Sequence, residues 1–173
     1  MSHIPTYAEA VDMLEKVDCS QLIIQHCITV SHAAVKIAKK LQAKGVDVDL
    51  ALIEIGGLLH DIGRSKTHNV KHAFLGSQIV ASFNLSESLI KIVERHIGSG
   101  IPSDEAVKLG LPNRDFIPQT LEEKVVSYSD KLISGTREMS FKEAFCRFSE
   151  DLGKSHPAIK RFKKIHFELM QIL

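Results

Sequence analysis

The stretch from Leu58 to Arg64 places a histidine and an aspartate side by side at the end of an apolar run, with Gly63 two residues further on. The apolar lead-in predicts a buried helix. Burying His60 and Asp61 at its end costs free energy unless the two side chains are paired or bind a metal. The fold therefore has to bring partners for this pair from other parts of the chain.

The rest of the chain carries helix signals at regular intervals. The predicted helix caps are Thr6, Ser20, Asp47 or Asp49, Ser86, Thr120, Ser140 and Ser155. Three of these caps begin a Thr-x-x-Glu or Ser-x-x-Glu spacing, which is typical of a capping box. No stretch alternates apolar and polar residues with strand period over a useful length, so the predicted fold class is all-α. The helices are predicted over about residues 7–17, 21–45, 50–60, 70–83, 87–97, 121–134, 141–152 and 157–173.

Two stretches depart from regular helix patterning. Gly56 and Gly57 are adjacent inside the third predicted helix, where glycine weakens helix formation, and we expect another helix to pass close to them. Residues 98–118 are polar and interrupted by proline and glycine, with one short helical turn expected over 103–109. Because a segment this long is usually functional or mobile, we expect it to serve as a recognition surface or a lid.

Length and composition fit one globular domain. The chain has 173 residues, of which 44% are hydrophobic and 25% are charged. We expect a single domain over residues 1–173, with a core over about 20–135 and a helical C-terminal extension over 136–173.

Charge and hydropathy limit the expected partners. A net charge of +1 without a basic block argues against a nucleic-acid partner. No apolar run is long enough to span a bilayer, and residues 1–9 lack the pattern of a secretory signal. A cytoplasmic location without a membrane partner is expected, and homo-oligomerisation is left open.

The cysteines give no framework for a disulfide or a structural zinc site. There are three, Cys19, Cys27 and Cys146, and none forms a CxxC pair. We interpret all three as small packing residues in a reducing compartment.

The positions of the nine histidines along their predicted helices indicate which of them face the core. In the helix over 21–45, His26 falls on the apolar stripe, whereas His32 shares a face with lysines and should point to solvent. The ionisable groups on or beside an apolar stripe are His26, His72, His96 and Asp130. A single buried histidine is more often a hydrogen-bonded core residue than a ligand. Burying these side chains independently would cost ~1–3 kcal/mol for each one that lacks a hydrogen-bond partner. One shared metal site would account for the burial of all of them.

Besides His32, four histidines lie outside this set and the His60-Asp61 pair. We expect His3, His156 and His166 to be terminal or surface residues, as is usual for histidine near chain ends. His68 follows the His-Asp pair in a predicted loop, where a surface position is favoured over a substrate contact.

Three stretches together resemble a known family. They are Ile24–Val30 with His26, Leu58–Arg64 with His60-Asp61, and Val126–Leu132 with Asp130. Their pattern of His, then His-Asp, then Asp on separate helices resembles the HD-domain metal-dependent phosphohydrolases, and the His-Asp-Ile-Gly sequence matches the small HDIG subgroup. The resemblance covers about residues 20–135 and implies the all-α HD-domain helical bundle.

The resemblance implies a metal centre. The implied ligands of a divalent transition metal (Mn, Fe, Co, Ni or Zn) are His26, His60, Asp61 and Asp130. Imidazole together with carboxylate suits these ions. His72 and His96 match positions that bind a second ion in two-metal members and lie near the phosphate in one-metal members, so one or two ions are both open.

The resemblance also implies catalytic and substrate-binding residues. Asp61 would ligate the metal and orient a water as general base, and His72 or His96 would be a second-metal ligand or a proton donor. Arg64, with Ser65 or Lys66, would bind phosphate and offset its charge in the transition state.

The expected activity is hydrolysis of a phosphoester or phosphoanhydride bond in a small nucleotide-like substrate. Dinucleoside polyphosphates, nucleotides and cyclic phosphates are all open, and the motif spacing looks closest to the small diadenosine-tetraphosphate-hydrolase-like members. The basic and neutral residues at 64–66 weaken a 5′-nucleotidase assignment. The alternative is a non-catalytic HD module that binds a nucleotide or a partner protein.

Overall fold

The computed structural model describes residues 3–173, and over this range the chain forms nine α-helices and one short hairpin. Met1 and Ser2, which belong to the predicted domain 1–173 and to the N-terminal stretch without a signal pattern, lie outside the described residues. The helices are α1 (Tyr7–Lys16), α2 (Gln21–Ala43), α3 (Leu50–Leu59), α4 (His72–Ser82), α5 (Glu87–Arg95), α6 (Ser103–Lys108), α7 (Leu121–Leu132), α8 (Phe141–Leu152) and α9 (Pro157–Ile172). In this range no helix is both long enough and apolar enough to cross a bilayer.

The all-α prediction is confirmed, with one small exception. Strands β1 (Ile133–Ser134) and β2 (Arg137–Glu138) pair antiparallel directly after α7. Strands of two residues are too short to show an alternating pattern in the sequence, which is why the hairpin was not predicted. Single turns of 3-10 helix also cover Ile62–Ser65 and Ile97–Ser99.

Most helix starts follow the predicted caps. The side chains that accept a hydrogen bond from the backbone N–H three residues later are those of Thr6, Ser20, Asp49, Ser86, Thr120 and Ser140. Two predictions were wrong in detail. The cap of α9 is His156 rather than Ser155. Glu123 does not complete a capping box with Thr120, because its carboxylate binds Arg95 and the backbone N–H of Gln119 instead.

The glycine pair in α3 allows close helix packing, as predicted. A Cβ at Gly57 would lie 2.6 Å from the Cα of Ser31 in α2, and one at Gly56 would lie 2.8 Å from the Ile92 side chain in α5. Helix α3 therefore runs in direct contact between α2 and α5. This position carries its C-terminal His60 into the middle of the bundle.

Residues 98–118 are packed rather than loose. Ile101, Ala106, Leu111 and Phe116 are buried together in a second small core. The backbones of Ile101 and Phe116 also form an isolated antiparallel bridge. The segment lacks a long element of its own because the apolar residues that anchor it are spaced irregularly in the sequence.

The C-terminal extension is anchored to the bundle by His166, so the surface position predicted for this residue was wrong. The Tyr128 hydroxyl forms a hydrogen bond of 2.7 Å with Nδ1 of His166, and the imidazole stacks on the Phe141 ring at 3.5 Å between centroids. Tyr128 belongs to α7, the helix that carries Asp130. The hydrogen bond thus joins α9 to the helix of a predicted metal ligand.

We predict that Tyr128→Phe lowers the free energy of unfolding by about 1 kcal/mol, the usual net value of one hydrogen bond. The loss should shrink in acid. Burial lowers the pKa of His166, so the folded state favours the neutral imidazole that can accept this bond. The contribution is fully present above the ordinary histidine pKa of about 6.5 and is lost as the pH falls through the lower folded value. Urea unfolding of both proteins from pH 8 down through the titration of the folded His166 measures it, and a loss that stays constant through that titration would contradict this role.

The cysteine prediction is confirmed for two residues and wrong for the third. Cys19 and Cys27 are buried in the main core, where burial raises the pKa of Cys19 to about 11 and that of Cys27 well above its ordinary value. Cys146 is exposed on α8. The two buried thiols stay protonated, which makes them poor metal ligands beside the imidazoles described next.

Candidate metal centre

Five helices bring ionisable side chains to one point inside the bundle. The groups are His26 from α2, His60 and Asp61 from the end of α3, His72 from the start of α4, His96 from the end of α5 and Asp130 from the last turn of α7. The histidines at 60, 72 and 96 and the aspartate at 61 are all at most 3% exposed. His26 and Asp130 are only partly buried. The cluster is therefore open to solvent on the side of α2 and α7.

One half of the cluster surrounds Asp130. Its Oδ1 lies 3.1 Å from Nε2 of His26 and 3.4 Å from Nε2 of His60. Oδ2 of Asp61 faces the same space, at 3.9 Å from His26 and 3.7 Å from His60. Two imidazole nitrogens and two carboxylate oxygens thus converge on one volume.

The other half surrounds the second oxygen of Asp61. Its Oδ1 lies 3.0 Å from Nε2 of His72 and 3.4 Å from Nε2 of His96, and the two Nε2 atoms are 3.2 Å apart. Asp61 therefore lies between the halves and presents one oxygen to each. The arrangement has the form of two adjacent ligand groups with a shared carboxylate.

Hydrogen bonds on the far side of the rings fix their orientation. Nδ1 of His60, His72 and His96 lies 2.7 Å from the carbonyl oxygen three residues earlier in each case. Nδ1 of His26 lies 2.8 Å from the carbonyl of Gly135 in the hairpin loop. A carbonyl can only accept, so Nδ1 carries the proton and Nε2 of each neutral ring presents a lone pair to the cluster. Metal-ligating histidines are usually held in this way.

The electrostatics of the cluster favour positive charge at its centre. Burial would raise the pKa of Asp61, but the neighbouring imidazoles, first that of His60, hold it well below its ordinary value. Burial would likewise lower the pKa of His60, yet the Asp61 carboxylate raises it overall. Burial lowers the pKa of His96 to about 4, which keeps that ring neutral. Ionised carboxylates beside neutral imidazole lone pairs are the donors that a divalent cation needs.

The donor set fits a metal. Nε2 of His60 and Oδ1 of Asp61 are buried without a hydrogen-bond partner, and such atoms are costly unless something binds them. Two groups of three, His26 with His60 and Asp130 and His60 with Asp61 and His96, keep their ligand atoms within 4.8 Å of one another. Mixed nitrogen and oxygen donors suit Mn²⁺, Fe²⁺, Co²⁺, Ni²⁺ or Zn²⁺.

Gly63 allows α4 to approach the His-Asp pair. A Cβ at this position would overlap the carbonyl oxygen of His72 and lie 2.6 Å from the backbone nitrogen of Gly76. The glycine is therefore needed for the close packing of α4 against the turn that follows His60-Asp61. Nε of Arg64, the next residue, donates to Oδ2 of Asp61 over 2.6 Å.

The predicted phosphate-binding residues are not all brought together. Arg64 lines both cavities that open at the metal centre, whereas Ser65 and Lys66 line neither. Lys66 is exposed, and the Ser65 hydroxyl is buried without a partner. His68 is exposed on the rim of the larger cavity. Of the three predicted residues, Arg64 is the one that faces the cavities at the centre.

Lys131 is a charged residue of the site that the sequence reasoning missed. Its Nζ lies 2.6 Å from Oδ2 of Asp130, and it lines both cavities together with Arg64 and Phe148. The feature of the sequence that could have indicated its place at the site is that it directly follows Asp130. Adjacent residues on a helix point about 100° apart, so helical phase gave no reason to place both at one site.

Sequence comparison assigns the family. Residues 23–135 match the HD domain family, and the chain belongs to that family. A crystal structure of the HD domain of the phosphodiesterase PgpH from L. monocytogenes has a similar fold, with a TM-score of 0.56 at 15% identity. The match covers 92% of this chain and 97% of that one.

Three relatives differ in how much of their length corresponds to this chain. An uncharacterized protein of Methanocaldococcus jannaschii is 42% identical over 96% of this chain and 98% of its own length. A tRNA (cytidine(56)-2′-O)-methyltransferase of Picrophilus torridus is 38% identical, and this chain spans only 48% of it. A ribonuclease Y of Clostridium botulinum is 32% identical over 65% of this chain and 18% of its own length. A region similar to this chain thus makes up nearly all of the first relative and only part of the other two.

Proposed function

We propose that the chain is a metal-dependent phosphohydrolase that cleaves a phosphoester or phosphoanhydride bond in a small nucleotide-like substrate. The single observation that carries the proposal is the two-part cluster in which Asp61 presents one oxygen to His26 and His60 and the other to His72 and His96. Membership of the HD domain family supports it.

Each half of the cluster has a set of ligands. His26, His60, Asp61 and Asp130 would hold one ion, and His72 and His96 with the shared Asp61 would hold a second. A bound divalent ion lowers the pKa of coordinated water toward neutrality and polarises a phosphoryl group. Because His96 is neutral and its Nε2 carries no proton, the geometry supports a ligand role for it rather than the proton-donor role left open by the sequence.

Two cations would bind the phosphate. Arg64 and Lys131 pair with Asp61 and Asp130 respectively, and both line the cavities that meet at the cluster. A guanidinium and an ammonium facing the same space can each donate to a phosphate oxygen and offset charge that develops during its transfer. Asp61, ionised and beside this space, is suited to orient an attacking water.

A hydrolysis screen tests the proposal, with release of inorganic phosphate and chromatography of the nucleotide products as its two readouts. The panel would contain nucleotides, cyclic nucleotides, dinucleoside polyphosphates and a short RNA, each with Mn²⁺, Fe²⁺, Co²⁺, Ni²⁺ or Zn²⁺. At least one combination should give turnover that a chelator abolishes. Nucleotide binding without turnover for any metal would instead favour the non-catalytic module.

A matched pair of histidines in α2 provides the control for that screen. His26→Ala removes a predicted ligand and should lower activity at least about 100-fold, since even outer-shell changes at metal sites cost 10–100-fold. His32→Ala changes an exposed histidine on the other face of the same helix and should leave activity within about twofold. Equal activity of the two variants would contradict the placement of His26 at the metal.

A further inference from the structure

The larger cavity, about 720 Å³, begins at the metal centre and extends away from it. Its near end is polar and is lined by Arg64, His72 and Lys131. Its far end is bounded by two parts of the chain outside the metal cluster, the segment over 97–109 and the C-terminal extension. One end of the cavity, next to the metal cluster, is thus lined by cationic side chains, and the other end lies away from the cluster.

Away from the cluster, apolar residues line both sides of the cavity. Ile101 and Leu109 lie on one side and Leu152 and Pro157 on the other, among charged residues that include Asp104, Lys108 and Arg161. Phe148 lies nearer the cluster, because its ring centroid is 5.8 Å from Nζ of Lys131. Leu109 and Leu152 are 44% and 40% exposed, although both are large apolar side chains. Covering such surface is favourable by roughly 25 cal/mol for each Å². A concave site with apolar walls and a few polar groups at one end is the usual form of a small-molecule site of roughly 300–1,000 Å³.

An ion pair holds the two walls at a fixed separation. The Arg161 guanidinium in α9 donates two hydrogen bonds, of 2.9 and 2.7 Å, to the Glu105 carboxylate in α6. Both side chains are about one-fifth exposed and both line the cavity. A bidentate pair of this kind fixes geometry as well as adding stability. The cavity is therefore built before a ligand enters.

The smaller cavity has a different character. It measures about 290 Å³ and opens on His26 and Asp130, with Arg147 and Asp151 also on its wall. The ridge between the two cavities is formed by Arg64, Lys131 and Phe148, which line both. Of these two cavities, the one on the side of His72 is the larger and has more space for a bulky apolar group.

We propose that the larger cavity binds the organic part of the substrate, a single flat ring system of nucleoside size joined to a phosphate. The C-terminal extension supplies the wall that determines specificity, through Phe148 and Leu152. The inference rests on the proposed function for the position of the phosphate, which lies between Arg64 and Lys131. Among the substrates left open by the sequence, it favours a phosphate that carries one nucleoside over one that carries two.

The test compares substrates that differ only in the ring. Ribonucleoside 5′-monophosphates and ribose 5-phosphate are esters of the same primary alcohol. At least one of the four nucleotides should exceed ribose 5-phosphate in kcat/KM by on the order of 100-fold. Leu152→Asp, which places a charge on the apolar wall, should lower that ratio at least about tenfold. Val107→Asp is the matched control, because Val107 is 53% exposed near Leu109 but does not line the cavity, and it should leave the ratio unchanged.

Equal kcat/KM for ribose 5-phosphate and all four nucleotides would overturn the pocket proposal and leave the phosphohydrolase proposal standing. Equal effects of Leu152→Asp and Val107→Asp on the ratio of kcat/KM values would also overturn the pocket proposal and leave the phosphohydrolase proposal standing. If none of these phosphomonoesters is hydrolysed, the wider substrate screen decides on the proposed function, and calorimetry decides on the pocket separately. Binding of a nucleotide at least about tenfold tighter than ribose 5-phosphate, lost in Leu152→Asp, would support it, and equal binding would overturn it.

Discussion

Asp61→Asn is expected to abolish metal-dependent phosphate release, with a loss of roughly a thousandfold or more. The substitution keeps the shape of the side chain and removes its charge. Asp61 presents one oxygen to each half of the cluster, so both halves lose an anionic ligand at once. A neutral amide also cannot serve as a base for water. The measurement is steady-state phosphate release together with metal content by mass spectrometry.

The control for this variant is Asp12→Asn, which makes the same chemical change at an exposed residue of α1 that pairs with Lys16. It should retain activity and metal content within about twofold. Circular dichroism of both variants checks that the helices persist. An Asp61→Asn protein that is folded, contains metal and hydrolyses substrate at the wild-type rate would remove the basis of the proposed mechanism.

Gly63→Ala is expected to lower the free energy of unfolding by about 3 kcal/mol or more, the upper range for overpacking. The added methyl would overlap the carbonyl of His72 and crowd the backbone of Gly76. Backbone atoms cannot move aside as a flexible side chain can, so α4 must shift away from the His-Asp pair. His72 starts that helix, and its displacement should lower metal affinity as well as stability.

Gly45→Ala separates this steric effect from the usual cost of replacing glycine. Gly45 has a φ of +81°, and a methyl group added there would meet no atom within 4 Å. Alanine at this position should therefore cost about 1–2 kcal/mol from backbone strain alone. Urea unfolding and metal titration of the two variants measure both effects. If Gly63→Ala is no less stable than Gly45→Ala and binds metal normally, the close approach of α4 does not position the site.

Local sequence patterns predicted the helices and the inward-facing groups well. Caps such as Thr6 and Ser140 act through residues three positions away, and helical phase depends only on spacing along one helix. The same reasoning placed His32 on an exposed face, which the structure confirms. The adjacent glycines in α3 likewise indicated a close helix contact, because no local requirement explains them.

Features that depend on distant partners could not be predicted in this way. Glu123 leaves its expected capping box because Arg95, 28 residues away, competes for the carboxylate. His166 packs against the bundle because it forms a hydrogen bond with Tyr128, 38 residues away. Lys131 reaches the site because of the conformation of its long side chain, which its position around the helix does not specify. In each case a tertiary contact overrides a correct local pattern.

Metal uptake tests the central claim most directly. Chelator-treated protein would be titrated with Mn²⁺, Fe²⁺, Co²⁺, Ni²⁺ and Zn²⁺ by calorimetry, and its thermal unfolding followed with and without each ion. The cluster predicts uptake of one or two ions per chain. At a free ion concentration of 100 Kd, binding should stabilise the fold by about 2.7 kcal/mol for each ion. Absence of uptake for every ion, with an unchanged Tm, would contradict the assignment of His60 and Asp61 to a metal centre.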